Sequence, residues 1–269
     1  MHAAAILIDE IIREGRGSSL VVLIMAAVFF YIAYYLTKIG RPPRLRRLVA
    51  IDAIAEAVGR AAEMGKPVHY TPGYAYESIA THQGSQTLAS INILGYIGQL
   101  CARYDVPIII NTCIADAIPL MEETLRLAYL REGKPEKFDP KCINYQPGQS
   151  PMVTAILGTF QRERPAANFM IGGLYYESVV IGEAANFIGA MQVGGTANTH
   201  QMPFIVATCD YVLLGEELYA AAAYISKEPI QIASIAGEDW IKFLLLALVV
   251  LGIILESAGY PLISDFLRW

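Results

Sequence analysis

Tyr76-Glu77-Ser78 recurs as Tyr176-Glu177-Ser178, inside "GYAYES" (73–78) and "GLYYES" (173–178). Carboxylates beside tyrosines, set twice in one chain, suit recognition of a polar or cationic ligand if both pairs face one cleft. A structural role for the same residues is also open. Gly73 and Gly173 would open turns into helices, where glutamate and serine complement and satisfy the free N–H groups of a first turn. Cys113 and Cys209 end "VPIIINTC" and "MPFIVATC". Each is expected to follow a strand and precede a helix, where a dipole lowers a thiol pKa, although free cysteine is also among the most buried residue types. Asn111 belongs to the same strand-end group. Glu183 interrupts the apolar helix "VVIGEAANFIGAM", and it either reaches solvent beside Asn186 or is buried with a partner. His82 and His200 have no partner acid at a recognisable spacing.

No phosphate loop is present, and no G-x-G-x-x-G follows a candidate strand. "GQSPM" (148–152) lacks the last glycine of a nucleophile elbow. The scattered cysteines match neither a zinc site nor a disulfide framework. The residues therefore name no cofactor, no metal and no reaction. A net charge of −5 argues against a nucleic-acid binder, which needs a clustered cationic face.

The elements that would position these residues follow from the repeat. After the doubled phrase, "YIGQL" at Tyr96 is echoed by "FIGAM" at Phe187, and "VPIIINTC" by "MPFIVATC". The order is preserved, so the expected fold is α/β: an internally duplicated, Rossmann-like parallel-sheet domain with its halves related by a pseudo-two-fold. Its strands are expected at "RLVAI", "PVHYT", "PIIINT", "CINYQ", "NFMIG" and "PFIVAT", with helical crossovers between them. In such sheets ligands sit beyond the carboxyl ends of the strands.

With 55% hydrophobic and 17% charged residues, part of the chain must face something other than water. "LVVLIMAAVFFYIAYYL" (20–36) carries no charge, and "WIKFLLLALVVLGIILESAGY" (240–260) is a second apolar stretch bounded by aromatics. The expected organisation is an amphipathic segment at 1–18, a transmembrane helix at 19–37, α/β repeats at 38–139 and 140–239, a second transmembrane helix at 240–260, and a tail at 261–269. Lys38, Arg41, Arg44, Arg46 and Arg47 after the first span put the α/β domain in the cytoplasm and both termini outside the cell membrane.

This arrangement, with "GYAYES…NTC…GLYYES…ATC" between two terminal spans, resembles an uncharacterised two-pass membrane protein family of bacteria and archaea. The resemblance covers most of the chain and implies no activity. The function expected from these readings is a non-catalytic, membrane-anchored scaffold or assembly protein. Its expected partners are the lipid bilayer, copies of itself in a homo-oligomer and other membrane proteins, with no nucleic acid. The alternative is a membrane-tethered small-molecule sensor or enzyme using the cleft at the strand carboxyl ends.

Overall fold

The protein is described from a computed structural model covering residues 17–39, 48–226 and 229–260. The N-terminal amphipathic segment up to residue 16, the basic cluster at 41–47 and the C-terminal tail lie outside the described residues. The chain divides into two units, Arg46–Ser226 and the two terminal segments.

In the first unit six parallel strands form one sheet: β1 (Val68–Gly73), β2 (Ile108–Thr112), β3 (Ile143–Tyr145), β4 (Ala167–Gly173), β5 (Met191–Thr196) and β6 (Tyr211–Leu214). Their spatial order is β3-β2-β1-β4-β5-β6, with every pairing parallel. β1 and β4 are buried at every position, as expected of central strands covered on both faces. One face carries α2 (Val49–Met64), α3 (Gly84–Tyr104), α4 (Ile118–Arg131) and α8 (Glu216–Ser226). The other carries α5 (Gln149–Glu163), α6 (Glu177–Phe187) and α7 (Met202–Thr208). The strand order reverses between β1 and β4. Each copy of the repeated phrase begins at the last residue of one of these two strands.

Two expected strands are helical. "RLVAI" runs into α2, because Ala50, Ile51, Ile54, Ala57, Val58 and Ala61 continue one buried stripe at helical spacing. "PFIVAT" is α7, with Pro203 in its first turn and buried Ile205 and Thr208 three residues apart. A short apolar run does not distinguish strand from helix by periodicity alone.

The strands that replace them are β5 and β6. β5, "MQVGGT", reads weakly as a strand because of its glycines, yet both positions are needed for packing. A Cβ on Gly194 would stand 2.6 Å from Cys209 Sγ and from Ile205 Cγ2, and one on Gly195 would stand 3.2 Å from Leu213 Cβ.

The second unit contains α1 (Gly17–Lys38) and α9 (Pro229–Ser257). Both are long and apolar enough to cross a membrane, over Ser19–Lys38 with mean hydropathy 2.3 and Ile232–Ser257 with 2.2. The second helix starts well before the expected residue 240, because Ile230, Ile232, Ala233 and Ala236 extend its apolar stripe past Glu238 and Asp239. The two helices pack through small residues: Ala33, Ala233 and Ala236 are buried, and a Cβ on Gly237 would collide with the Phe30 ring. Phe29 and Trp240 meet edge to face with centroids 6.3 Å apart.

Candidate functional site at the strand-order reversal

The carboxyl ends of β1 and β4 approach each other more closely than side chains allow. A Cβ on Gly73 would lie 2.7 Å from Gly173 O, and one on Gly172 would collide with Pro72 O. Pro72 cannot donate to the ladder, and the β1–β4 register shifts between Thr71 and Gly73. The doubled glycines thus let the two repeated turns meet.

The two copies then take different paths. After β4 the chain enters α6 at once, with Glu177 as its first residue. After β1 it forms a turn in which Ala75, Tyr76 and Glu77 all occupy the left-handed region, with φ of 41°, 56° and 60°. The following helix α3 begins only at Gly84. Glu77 and Ser78 therefore close a short 3-10 turn ahead of α3, whereas Glu177 and Ser178 stand in the first turn of α6.

Side-chain bonds impose this turn. Thr81 Oγ1 donates to Ala75 O at 3.1 Å and to Ser78 O at 3.0 Å. The Asp116 carboxylate accepts from Ser78 Oγ at 2.6 Å and from the Ile79 N–H at 3.1 Å. Backbone in sparsely populated regions persists where surrounding contacts over-determine it.

Glu177 is buried and joins three strand-end loops. Its Oε1 accepts from the Tyr74 N–H at 3.0 Å, and its Oε2 accepts from the Gln149 side-chain amide. Burial pushes its carboxyl above the usual range, while these donors hold it back. Ser178 Oγ donates to Gln201 Oε1 at 2.9 Å and to Tyr175 O at 2.8 Å, which ties in the loop after β5. Tyr176 OH and Ser150 Oγ are 3.0 Å apart.

A buried amide network fixes the same loops. The Gln86 amide donates to Gln83 Oε1 at 2.6 Å and to Asn198 Oδ1 at 2.9 Å, and its oxygen accepts from the Ala197 N–H at 2.9 Å. Asn198 donates to Leu174 O at 2.8 Å. Five rings from the same loops cluster together. Tyr76 is 5.3 Å from Tyr175 and 5.0 Å from His82; Tyr74 is 5.7 Å from Tyr76 and 6.0 Å from Tyr175; Tyr175 is 5.5 Å from His200. Tyr76, His82 and His200 are exposed. The histidines, unremarkable by spacing, enter the site through this ring cluster.

Cys113 is buried beside the turn that follows β1. Its Sγ lies 3.8 Å from Gly73 O and 3.7 Å from Tyr74 O, and burial pushes the thiol up to about 12, with Glu77 and Glu177 acting in the same direction. Cys209 is elsewhere. It follows helix α7 and precedes β6, at the amino end of that strand, and burial pushes it up to about 12 as well. Glu183 takes the solvent-facing alternative beside Asn186, on the exposed side of α6.

Asn111 belongs to a polar row inside the sheet that the sequence reading missed. His69 Nδ1 donates to Asn168 Oδ1 at 2.8 Å, and Asn168 Nδ2 donates to Gln192 Oε1 at 3.1 Å. The Gln192 amide donates to Gly182 O, Thr208 O and Asn186 Oδ1 at 2.9 Å each. His69 Nε2 and Asn111 Oδ1 are buried without a partner. The available signal was a polar residue set among apolar ones in four of the strands: "VHY", "INT", "ANF" and "MQV".

The fold and this geometry define a parallel α/β protein with a candidate site where its strand order reverses and with two long apolar helices in a separate unit. The family described as Domain of unknown function (DUF6754) matches residues 9–267, and the chain belongs to it. No curated protein and no solved structure matches the chain significantly.

Proposed function

We propose that this is a membrane-tethered small-molecule-binding protein whose ligand sits between the two repeated turns, at the carboxyl ends of β1 and β4. The observation that carries the reading is the convergence of Tyr76, Glu77, Tyr175 and Glu177 at the strand-order reversal, where parallel α/β sheets hold ligands. The order 3-2-1-4-5-6, with β1 and β4 as counterparts, supports an internally duplicated, Rossmann-like domain. In this reading both apolar helices span the cell membrane, the termini are outside and the sheet is cytoplasmic. The cluster from Lys38 to Arg47 supports that orientation.

A second reading, assembly into a homo-oligomeric scaffold, is favoured by apolar side chains that α6 and α7 leave in solvent. Phe187 is 89% exposed, Val206 54% and Phe204 46%.

Native mass spectrometry of the full-length protein, released from a mild detergent, tests both readings. Small-molecule adducts of constant mass are expected on the chain, and a mass of several chains is expected if the exposed helices associate. Bare chains would overturn the ligand reading, and single chains across a range of concentrations would overturn assembly.

A further inference from the structure

We propose that the ligand of this site is an organic cation: a small molecule bearing an ammonium group and no phosphate. The inference rests on the ligand-binding reading above and adds the chemical class.

The groups still available at the site set that class. Gln83, Gln86 and Asn198 bond to one another and to the backbone, so they offer a ligand little. Ser78 and Asp116 are engaged together. Exposed and uncommitted to that network are the Tyr76 ring, the His82 and His200 rings and the Glu77 carboxylate. Tilted and edge-to-face rings clustered in the same turn as a carboxylate attract a cation, through the ring quadrupole and through charge.

The complementary observation is the distribution of charge. The loops that leave the carboxyl ends of the six strands, at 74–83, 113–117, 146–148, 174–176, 197–201 and 215, contain no lysine or arginine. They carry Glu77 and Asp116, and Glu177 begins the helix that follows β4. A phosphate placed here would meet carboxylates without a countercharge. The N-terminus of α6, where an anion would otherwise sit, already holds the Glu177 carboxylate on its own first turn. The cationic residues of this unit cluster at the opposite edge, among them Lys66, Lys134, Lys137, Lys141 and Arg164, beside the amino ends of the strands.

Equilibrium binding to the full-length protein in non-ionic detergent at pH 8, with tetramethylammonium, inosine and adenosine monophosphate as probes, tests the class. Tetramethylammonium should bind saturably. Tyr76→Leu should weaken it about tenfold, whereas Tyr76→Phe, which keeps the ring, should stay within about twofold of the parent. Glu77→Gln should weaken binding and flatten its salt dependence. Tyr76 and Glu77 are exposed, so these variants keep the fold, and an unchanged melting temperature confirms that for each. Saturable binding of inosine or the monophosphate alone, abolished by Tyr175→Leu, would overturn the cation class and leave the ligand site standing. Absence of saturable binding by all three probes, in a protein that also carries no adduct, would overturn both.

Discussion

His69 shows how a single buried residue links the sheet to solution conditions. It is enclosed between β2, β4 and α5, with Asn168 on Nδ1, the Asn111 amide nearby and the Phe160 ring 5.0 Å away at 90°. Burial lowers its pKa from 6.5 to about 4. The unfolded chain therefore takes up a proton below pH 6.5 that the folded chain refuses. The stability tied to the neutral ring is complete above pH 6.5 and is lost as pH falls through about 4, at a cost of up to about 3 kcal/mol. Glu177 acts with the opposite sign, since its raised carboxyl pKa makes the folded state the better proton acceptor as pH falls towards 4.5. A comparison with His69→Gln isolates the imidazole contribution. The parent melting temperature should fall more steeply between pH 6.5 and 4 than the variant's, and parallel curves would show that His69 does not titrate this way.

At the scale of the element, the contact between the repeated turns depends on glycine. Gly172 has φ +145°, and its missing Cβ leaves space for Pro72 O, whereas Gly133, with φ +72°, has nothing near its Cβ direction. Gly172→Ala should therefore cost about 3 kcal/mol or more, from overpacking added to backbone strain, while Gly133→Ala should cost about 1 kcal/mol. Denaturant unfolding of both variants reads the difference, and equal costs would mean that the two strand ends do not touch. These contacts also explain what the sequence made legible. β1, β2, β3 and β4 were readable from β-branched runs bounded by turn residues, and the doubled phrase marked the turns at the reversal. β5 was not readable, because Gly194 and Gly195 serve the close packing of Cys209, Ile205 and Leu213, which no local pattern reports. The different conformations of the two phrases were hidden for the same reason: the left-handed turn at Ala75–Glu77 is fixed by Thr81 and, through Ser78 and Ile79, by Asp116 from the loop after β2.

For the whole molecule, two apolar helices accompany one sheet unit, and the proposed function has both helices cross the membrane. The two long apolar helices were legible from composition, since each contains an extended uncharged run. The start of the second was not, because Glu238 and Asp239 lie within a continuous helix. Orientation is tested by replacing exposed Lys141 with cysteine and treating intact cells with an impermeant thiol reagent. Labelling should require lysis, and equal labelling of unlysed cells would invert the topology.

In the proposed function both repeated turns contribute to one ligand site. The most direct measurement is the occupancy of the co-purified adduct, by native mass spectrometry, in two separate variants, Tyr76→Leu from the first turn and Tyr175→Leu from the second. Each substitution alone should strip the adduct from a chain that remains folded. Loss in one variant with full retention in the other would contradict it, because the turns would then serve different purposes.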